Sequence, residues 1–374
     1  MKISKRELNL PYSVLGELTK IASEDKKTIS LSIGEPDFIT PKPILKNINS
    51  LIRKATHYTP SSGKKELKEA LVKKLKKENK INVNEDNIMV TCGSQEGIFA
   101  SLLSVVDPKD EVIIPNPSYL GYIPAIELVS GVPVFFNLEE EDGFEVNPDN
   151  IKKLINRKTK AIILNTPSNP TGTVLSKKVL EEIADIVNDK GLYIFSDEAY
   201  EKIIYDKKHV SIGSLNGVDN VISFYTFSKT YAMCGFRLGY CVGSEKVIKA
   251  IDKSSHYVTI CAPHISQLLG IRALKLGKKY IDDMVKEYRR RRDYVVRRLN
   301  DMSLRTLKPD GTFYAFSRIN RKSLKFSKDL LKKKVAVVPG VEFGSNGEGY
   351  IRISYAAKMS LIKKGMDRIE KFVR

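Results

Sequence analysis

Between residues 88 and 242, short runs of consecutive apolar side chains alternate with stretches whose apolar residues return every three or four positions. The runs at 88–91, 111–115, 132–136, 161–165, 192–196, 221–225 and 238–242 predict strands. Several are apolar at successive positions, as a strand covered by helices on both faces of a parallel sheet requires. Strands alternating with helical periodicity imply an α/β fold. One helix is legible from end to end. Ser176 can cap its first amides, Leu180, Ile183, Ala184 and Val187 fall on one face, and Gly191 can take the left-handed stop conformation.

From 265 to 300 the periodicity is long and helical, and shorter α and β segments follow it. The arginine run at 289–292 reads as a solvated face of that helix. A domain boundary is expected within it, giving a large unit over 41–275 and a smaller α+β unit made of 1–40 and 276–374.

Composition narrows the function classes. The 374 residues are 42% hydrophobic and 29% charged, which argues against a disordered or fibrous chain. The longest apolar stretch, 98–106, is interrupted by serines, whereas a membrane span needs about 20 apolar residues. The opening MKISKRELNLPYS has no apolar segment of signal-peptide length, so a cytoplasmic location without membrane attachment is expected. Cys92, Cys234, Cys241 and Cys261 form no CxxC pair and do not combine with the four histidines at metal-ligand spacing, so no metal is expected. The net charge is +19, but lysines recur along the whole chain instead of forming a binding arm, and no nucleic-acid partner is expected. A general positive field would still attract anionic metabolites.

The candidate chemistry lies after three consecutive strands: NTPSNPTG from 165, SDEAY from 196 and TFSKTYAMCGFRLGY from 226. Open α/β sheets bind ligands outside the carboxyl ends of their strands. Asn169, Asp197 and Lys229 follow one another at close to the length of one strand-to-strand unit, so with Tyr200 they should share one crevice. A lysine and an aspartate at adjacent strand ends, flanked by Tyr and Asn, suit imine chemistry.

These motifs resemble those of the class I/II aminotransferases, pyridoxal-phosphate enzymes of fold type I, and within them the branch of archaeal and bacterial aspartate and aromatic aminotransferases. The resemblance runs through GEPDF from 34, HYTPSSG from 57, TCGSQEG from 91, PNPSY from 115, the three strand-end motifs, and YIRISYA from 350. It implies a large domain built on a mostly parallel seven-stranded sheet flanked by helices. The implied reaction moves the amino group of an L-amino acid, aromatic or aspartate, to a 2-oxo acid such as 2-oxoglutarate in two half-reactions.

Carried onto this sequence, the resemblance makes Lys229 the residue that binds pyridoxal 5'-phosphate covalently and then carries the proton from the substrate α-carbon. An amine does both jobs when burial beside other cations lowers its pKa. Asp197 is implied to keep the ring nitrogen protonated, Asn169 and Tyr200 to bond the phenolic oxygen, and Tyr119 to stack on the ring. Gly93, Ser94 and Gln95, at a helix start, together with Thr226 and Arg237, are implied to hold the phosphate. Tyr58 is implied to reach the phosphate of a neighbouring subunit, hence a homodimer. Arg352 is implied to grip the substrate α-carboxylate by two prongs, beside the Gly34 backbone, with Asn169 and Tyr12 also at the substrate. The resemblance also implies cis bonds before Pro117 and Pro170.

Substrate choice is left open. Some members of this branch carry a lysine where this chain has Gln95, while the stretch 335–356 is most similar to archaeal aromatic aminotransferases. Two other readings use the same cofactor site: a β-lyase or other non-transferring enzyme, and a cofactor-sensing DNA-binding regulator, which would need a helical module ahead of Gly34.

Overall fold

Residues 3–10 and 14–374 are described by the computed structural model. A short strand β1 (Ile29–Ser30) precedes β2 (Ile88–Thr91), β3 (Glu111–Asn116), β4 (Val132–Asn137), β5 (Thr159–Asn165), β6 (Tyr193–Asp197), β7 (Val221–Thr226) and β8 (Gly239–Val242). The last seven form one sheet in the order β2-β8-β7-β6-β5-β3-β4. The pairs from β7 through β4 are parallel, and β8 alone runs against its neighbours. All seven predicted strands are present, with ends shifted by no more than two residues.

The successive apolar residues of β5 are explained by two covered faces. Ile162 and Leu164 pack with Leu180, Ile183 and Val187 of the helix Lys177–Lys190 on one side. Ala161 and Ile163 pack with Ile98 and Leu102 of the helix Ser94–Val105 on the other. Burying each such side chain contributes about 1.5–3 kcal/mol. The helix Lys177–Lys190 has the expected ends: the Ser176 hydroxyl accepts from the Val179 amide, and Gly191 sits at φ 62°. Such a cap contributes about 1 kcal/mol.

After residue 264 the expectations need two corrections. The periodic stretch is two helices, His264–Ala273 and Lys278–Asp301, separated at Gly277. The break separates two apolar stripes with different partners. Leu269 and Ala273 join a core with Leu67 and Leu71, whereas Met284, Tyr288, Val295 and Leu299 join a second core with Ile351, Ile353, Ile362 and Met366. The arginine run is also not a solvated face, because Arg291 and Arg292 are buried. Arg291 donates to Asp37 (2.7 Å) and Glu287 (2.8 Å), and Arg292 to Asp206 (2.7 Å) with its guanidinium 4.5 Å from the Tyr205 ring centre.

Around that second core, β9 (Tyr314–Arg318), β10 (Val335–Ala336), β11 (Val338–Pro339) and β12 (Tyr350–Ser354) complete the strands among the described residues. β11, β12 and β9 make an antiparallel sheet, and β10 pairs in parallel with β1. The pairing of β1 leads residues 31–38 toward the carboxyl ends of β5–β7. The Leu31 amide donates to Ala336, and the Leu31 carbonyl accepts from Ser354. Three X-Pro bonds are cis: those before Pro117 and Pro170, as expected, and that before Pro167.

Candidate active site

Parallel register sets the site. Asn165 at the end of β5 lies opposite Asp197 at the end of β6, and Asp197 opposite Phe224 of β7. The chain then turns on side-chain bonds. The Asn165 amide donates to the Asp197 carbonyl (3.0 Å), and its oxygen accepts from the Asn169 amide (2.7 Å). After β7 the Thr226 hydroxyl accepts from the Ser228 amide (3.1 Å), capping the short helix Phe227–Thr230 that carries Lys229.

A cavity of about 540 Å³ opens over these strand ends, and Gly34, Ser94, Gln95, Tyr119, Asn169, Asp197, Tyr200, Thr226, Lys229, Arg237 and Arg352 line it. One expected site residue, Tyr58, is not brought into it and is 79% exposed on the surface. Tyr12 lies outside the described residues. Gly93 abuts the cavity from behind Arg237: at its φ of 87°, an added Cβ would stand 2.7 Å from the Arg237 guanidinium.

At one end of the cavity, the helix Ser94–Val105 starts immediately after Gly93, with Arg237 beside it donating to the Cys234 carbonyl (3.0 Å). Amides at a helix start, a hydroxyl and a guanidinium are the groups that receive a phosphate. Deeper in, the buried Asp197 carboxylate accepts from the Tyr122 hydroxyl (2.6 Å) and the Ala199 amide (3.1 Å). Burial pushes its pKa up, against the pull of those two bonds and of Lys229. A cationic partner in the cavity would hold it ionised.

The Lys229 ammonium donates to the Gly34 carbonyl (2.6 Å), which joins the β7 end to the 31–38 loop. Arg352, in β12, donates to Asn169 Oδ1 (3.0 Å) and to the Ser32 carbonyl (2.8 Å), while its buried Nε has no hydrogen-bond partner among the described residues. A buried guanidinium with an unspent donor is poised for an anion, because a desolvated unpaired donor costs about 1–3 kcal/mol. Tyr119 donates to Gln95 Oε1 (3.0 Å), and burial raises its phenol to about 12.

Several residues here were not singled out from sequence. Asn165 opens the quoted NTPSNPTG motif, so its signal was at hand. Tyr122 and Tyr314 had none, because their roles come from packing across elements. Among the described residues, no cluster of His, Cys, Asp and Glu could hold a metal, and no helix is long and apolar enough to cross a membrane.

Comparison with known proteins bears directly on this geometry. The family model for aminotransferase class I and II matches residues 26–369. The chain belongs to the class I and II aminotransferases. Among relatives, an aspartate aminotransferase of Pyrococcus abyssi is 44% identical over 97% of this chain and 96% of its own. Aromatic-amino-acid aminotransferase 2 of Thermococcus litoralis is 41% identical over 100% and 99%. The crystal structure of an aromatic aminotransferase from Pyrococcus horikoshii superimposes with a TM-score of 0.90, at 43% identity over 95% of this chain and 98% of that one. The aminotransferase thus has the fold type I architecture, with its cavity where that sheet ends, and transfers amino groups.

Proposed function

We propose that this aminotransferase binds pyridoxal 5'-phosphate through Lys229 and moves the amino group of an aromatic amino acid or aspartate to 2-oxoglutarate. The observation that carries the reading is that Lys229, the buried Asp197 and the unspent donor of Arg352 share one cavity. When bound, pyridoxal phosphate supplies an aldehyde that takes up amines and a protonated ring that withdraws electrons. The residues fit that group at each end, since the glycine at 93 leaves room for Arg237 beside the helix start, and the other end presents the buried Asp197 carboxylate, held by Tyr122 and the Ala199 amide, to a protonated ring nitrogen.

In this reading Gly93, Ser94, Gln95, Thr226 and Arg237 hold the phosphate. Asp197 stabilises the ring's positive nitrogen, with Tyr122 and the Ala199 amide fixing the carboxylate plane. Asn169 and Tyr200 bond the phenolic oxygen, and Tyr119 covers the ring face. Arg352 binds the substrate α-carboxylate, with the Gly34 backbone alongside. Lys229 would hold the cofactor through its amine and would move the substrate α-proton.

For the donor side chain, the cavity's cations among the described residues are Lys229, Arg237 and Arg352, all assigned to other tasks, and the rest of the lining includes neutral Gln95 together with Ile33, Tyr119 and Leu120. That lining favours an aromatic side chain over a second carboxylate. Tyr58, exposed and outside its own cavity, is assigned to the site of a second copy in a homodimer. The division into a unit over 41–275 and one of 1–40 with 276–374 and the cytoplasmic location are part of the same proposal.

Reduction of the cofactor-loaded protein with borohydride should leave the cofactor on a single peptide, the one containing Lys229. Labelling of any other peptide overturns the assignment. Lys229→Ala should keep the fold and lose amino transfer, and a panel of amino-acid donors against 2-oxoglutarate ranks the substrates.

A further inference from the structure

The strand pair β9–β12 holds a tyrosine whose contacts join the two ends of the proposed site. Tyr314 lies opposite Ser354, and Arg352 opposite Phe316, so Tyr314 and Arg352 are diagonal neighbours on one face of the small sheet. Diagonal cross-strand pairs are within reach of long and aromatic side chains. The Arg352 guanidinium carbon is 4.1 Å from the Tyr314 ring centre and 4.9 Å from that of Phe343, so the guanidinium lies against two buried rings. The Tyr314 hydroxyl is 2.9 Å from the Tyr200 hydroxyl. The same hydroxyl closes on the 31–38 loop, where a Cβ added at Gly34 would stand 2.9 Å from it. Tyr314 itself is 1% exposed, and the two rings meet edge to face at 5.7 Å.

These contacts do two different things. A ring face beneath a guanidinium removes its freedom to swing, while its edge hydrogens stay free for planar bonds to a carboxylate. A hydroxyl bonded to a second hydroxyl fixes which way the second one turns, and hydrogen bonds in a chain strengthen one another. We propose that Tyr314 is a positioning residue for both halves of the reaction: its ring orients Arg352 toward the substrate carboxylate, and its hydroxyl directs the Tyr200 hydroxyl toward the cofactor's phenolic oxygen. The proposal rests on the cofactor assignment above.

The two tasks separate by substitution. Tyr314→Phe keeps the ring and removes the hydroxyl, whereas Tyr314→Leu removes the ring face as well. With holoenzyme in the absence of substrate, the pH midpoint of the cofactor's visible absorbance should move to higher pH in Tyr314→Phe, because Tyr200 stabilises the phenolic charge less well. That shift should vanish when the substitution is made in a Tyr200→Phe background. KM for an aromatic and for an acidic amino acid should stay within about twofold in Tyr314→Phe and rise about tenfold for both in Tyr314→Leu, with kcat changing less.

An unmoved midpoint in Tyr314→Phe overturns the hydroxyl role, as does a shift of equal size in the Tyr200→Phe background. An unchanged KM in a folded Tyr314→Leu overturns the ring role. Should Tyr314→Leu fail to fold, Tyr314→Met supplies bulk without a ring face and is read the same way. A wild-type protein that takes up no pyridoxal phosphate overturns the parent reading, and this one with it, before any variant is made. A wild type labelled at Lys229 whose variants show none of these effects overturns the Tyr314 proposal alone.

Discussion

Arg291→Met should cost this protein several degrees of melting temperature, although the residue sits in a run of four arginines that reads as surface. Its side chain is 6% exposed and donates to Asp37, whose side chain is 19% exposed, and to Glu287, at 27%. The guanidinium also lies 5.3 Å from the Phe38 ring centre and 5.6 Å from that of Tyr288. Breaking a buried pair by removing one partner costs about 3–5 kcal/mol, because the remaining charge is left uncompensated. Here the lower end applies, since both carboxylates keep some water and Glu287 keeps Arg290 through two bonds of 2.8 Å.

The unfolding entropy of about 2.1 cal/mol/K per residue, taken over 374 residues unfolding as one unit, converts a loss of about 3 kcal/mol into roughly 4 °C. Calorimetry at one fixed protein concentration measures it, because any self-association makes melting concentration-dependent. Arg291→Lys should fall between, since one ammonium cannot serve two carboxylates in the planar geometry of the fork. A cycle with Asp37→Asn should show a coupling of about 0.5–3 kcal/mol. A variant that melts within about 1 °C of wild type, or a cycle that is fully additive, would refute the reasoning.

Two further outcomes follow from charge. Arg352→Lys keeps the positive charge but loses the fork, so kcat/KM should fall roughly 10- to 100-fold for acidic and aromatic donors alike while cofactor binding persists; loss confined to acidic donors would show that Arg352 reads a distal carboxylate instead. The Glu287 carboxyl is held down to about 2, by the hydrogen bond from Arg290 first, with burial pushing the other way and the Arg291 hydrogen bond and charge adding to the lowering. A folded pKa below the unfolded value of about 4.3 gives stability that is present above pH 4.3 and lost as pH falls toward 2. The melting-temperature gap between wild type and Glu287→Gln should therefore be full at neutral pH and close on acidification, and a gap independent of pH would exclude that linkage.

Much of the large sheet and of the cavity was legible because their determinants are local. A run such as Ala161 to Leu164 must be covered on both faces wherever it lies, and the residues following each strand are covalently bound to its carboxyl end. Once the strands are parallel, the contents of the crevice follow. Asn169, Asp197, Tyr200 and Lys229 were read this way, and all four line one cavity. The arginine run was misread for the complementary reason. Arg291 falls on the same helix stripe as Met284, Tyr288, Val295 and Leu299, yet a pattern that scores arginine as polar cannot count it there. Its burial is decided by Asp37, 254 positions away.

Tyr122 and Tyr314 show where the limit falls. Each lies inside an element whose apolar pattern is satisfied by any large side chain, and each hydroxyl finds its partner only through tertiary register: Asp197 for Tyr122, Tyr200 for Tyr314. Side chains alternate across a strand with a period of two, so a one-residue slip of β9 against β12 would move Tyr314 to the opposite face from Arg352. The same slip would take Phe316 off Tyr350, on which it stacks with ring centres 4.8 Å apart. Stacking of Phe316 on Tyr350 thereby favours the register that puts the Tyr314 hydroxyl beside Tyr200, and packing within the sheet sets the geometry of that side of the cavity. Residues placed through a neighbour's packing carry no mark of their role in the sequence around them, and the pairing of strands is the level at which such roles become visible.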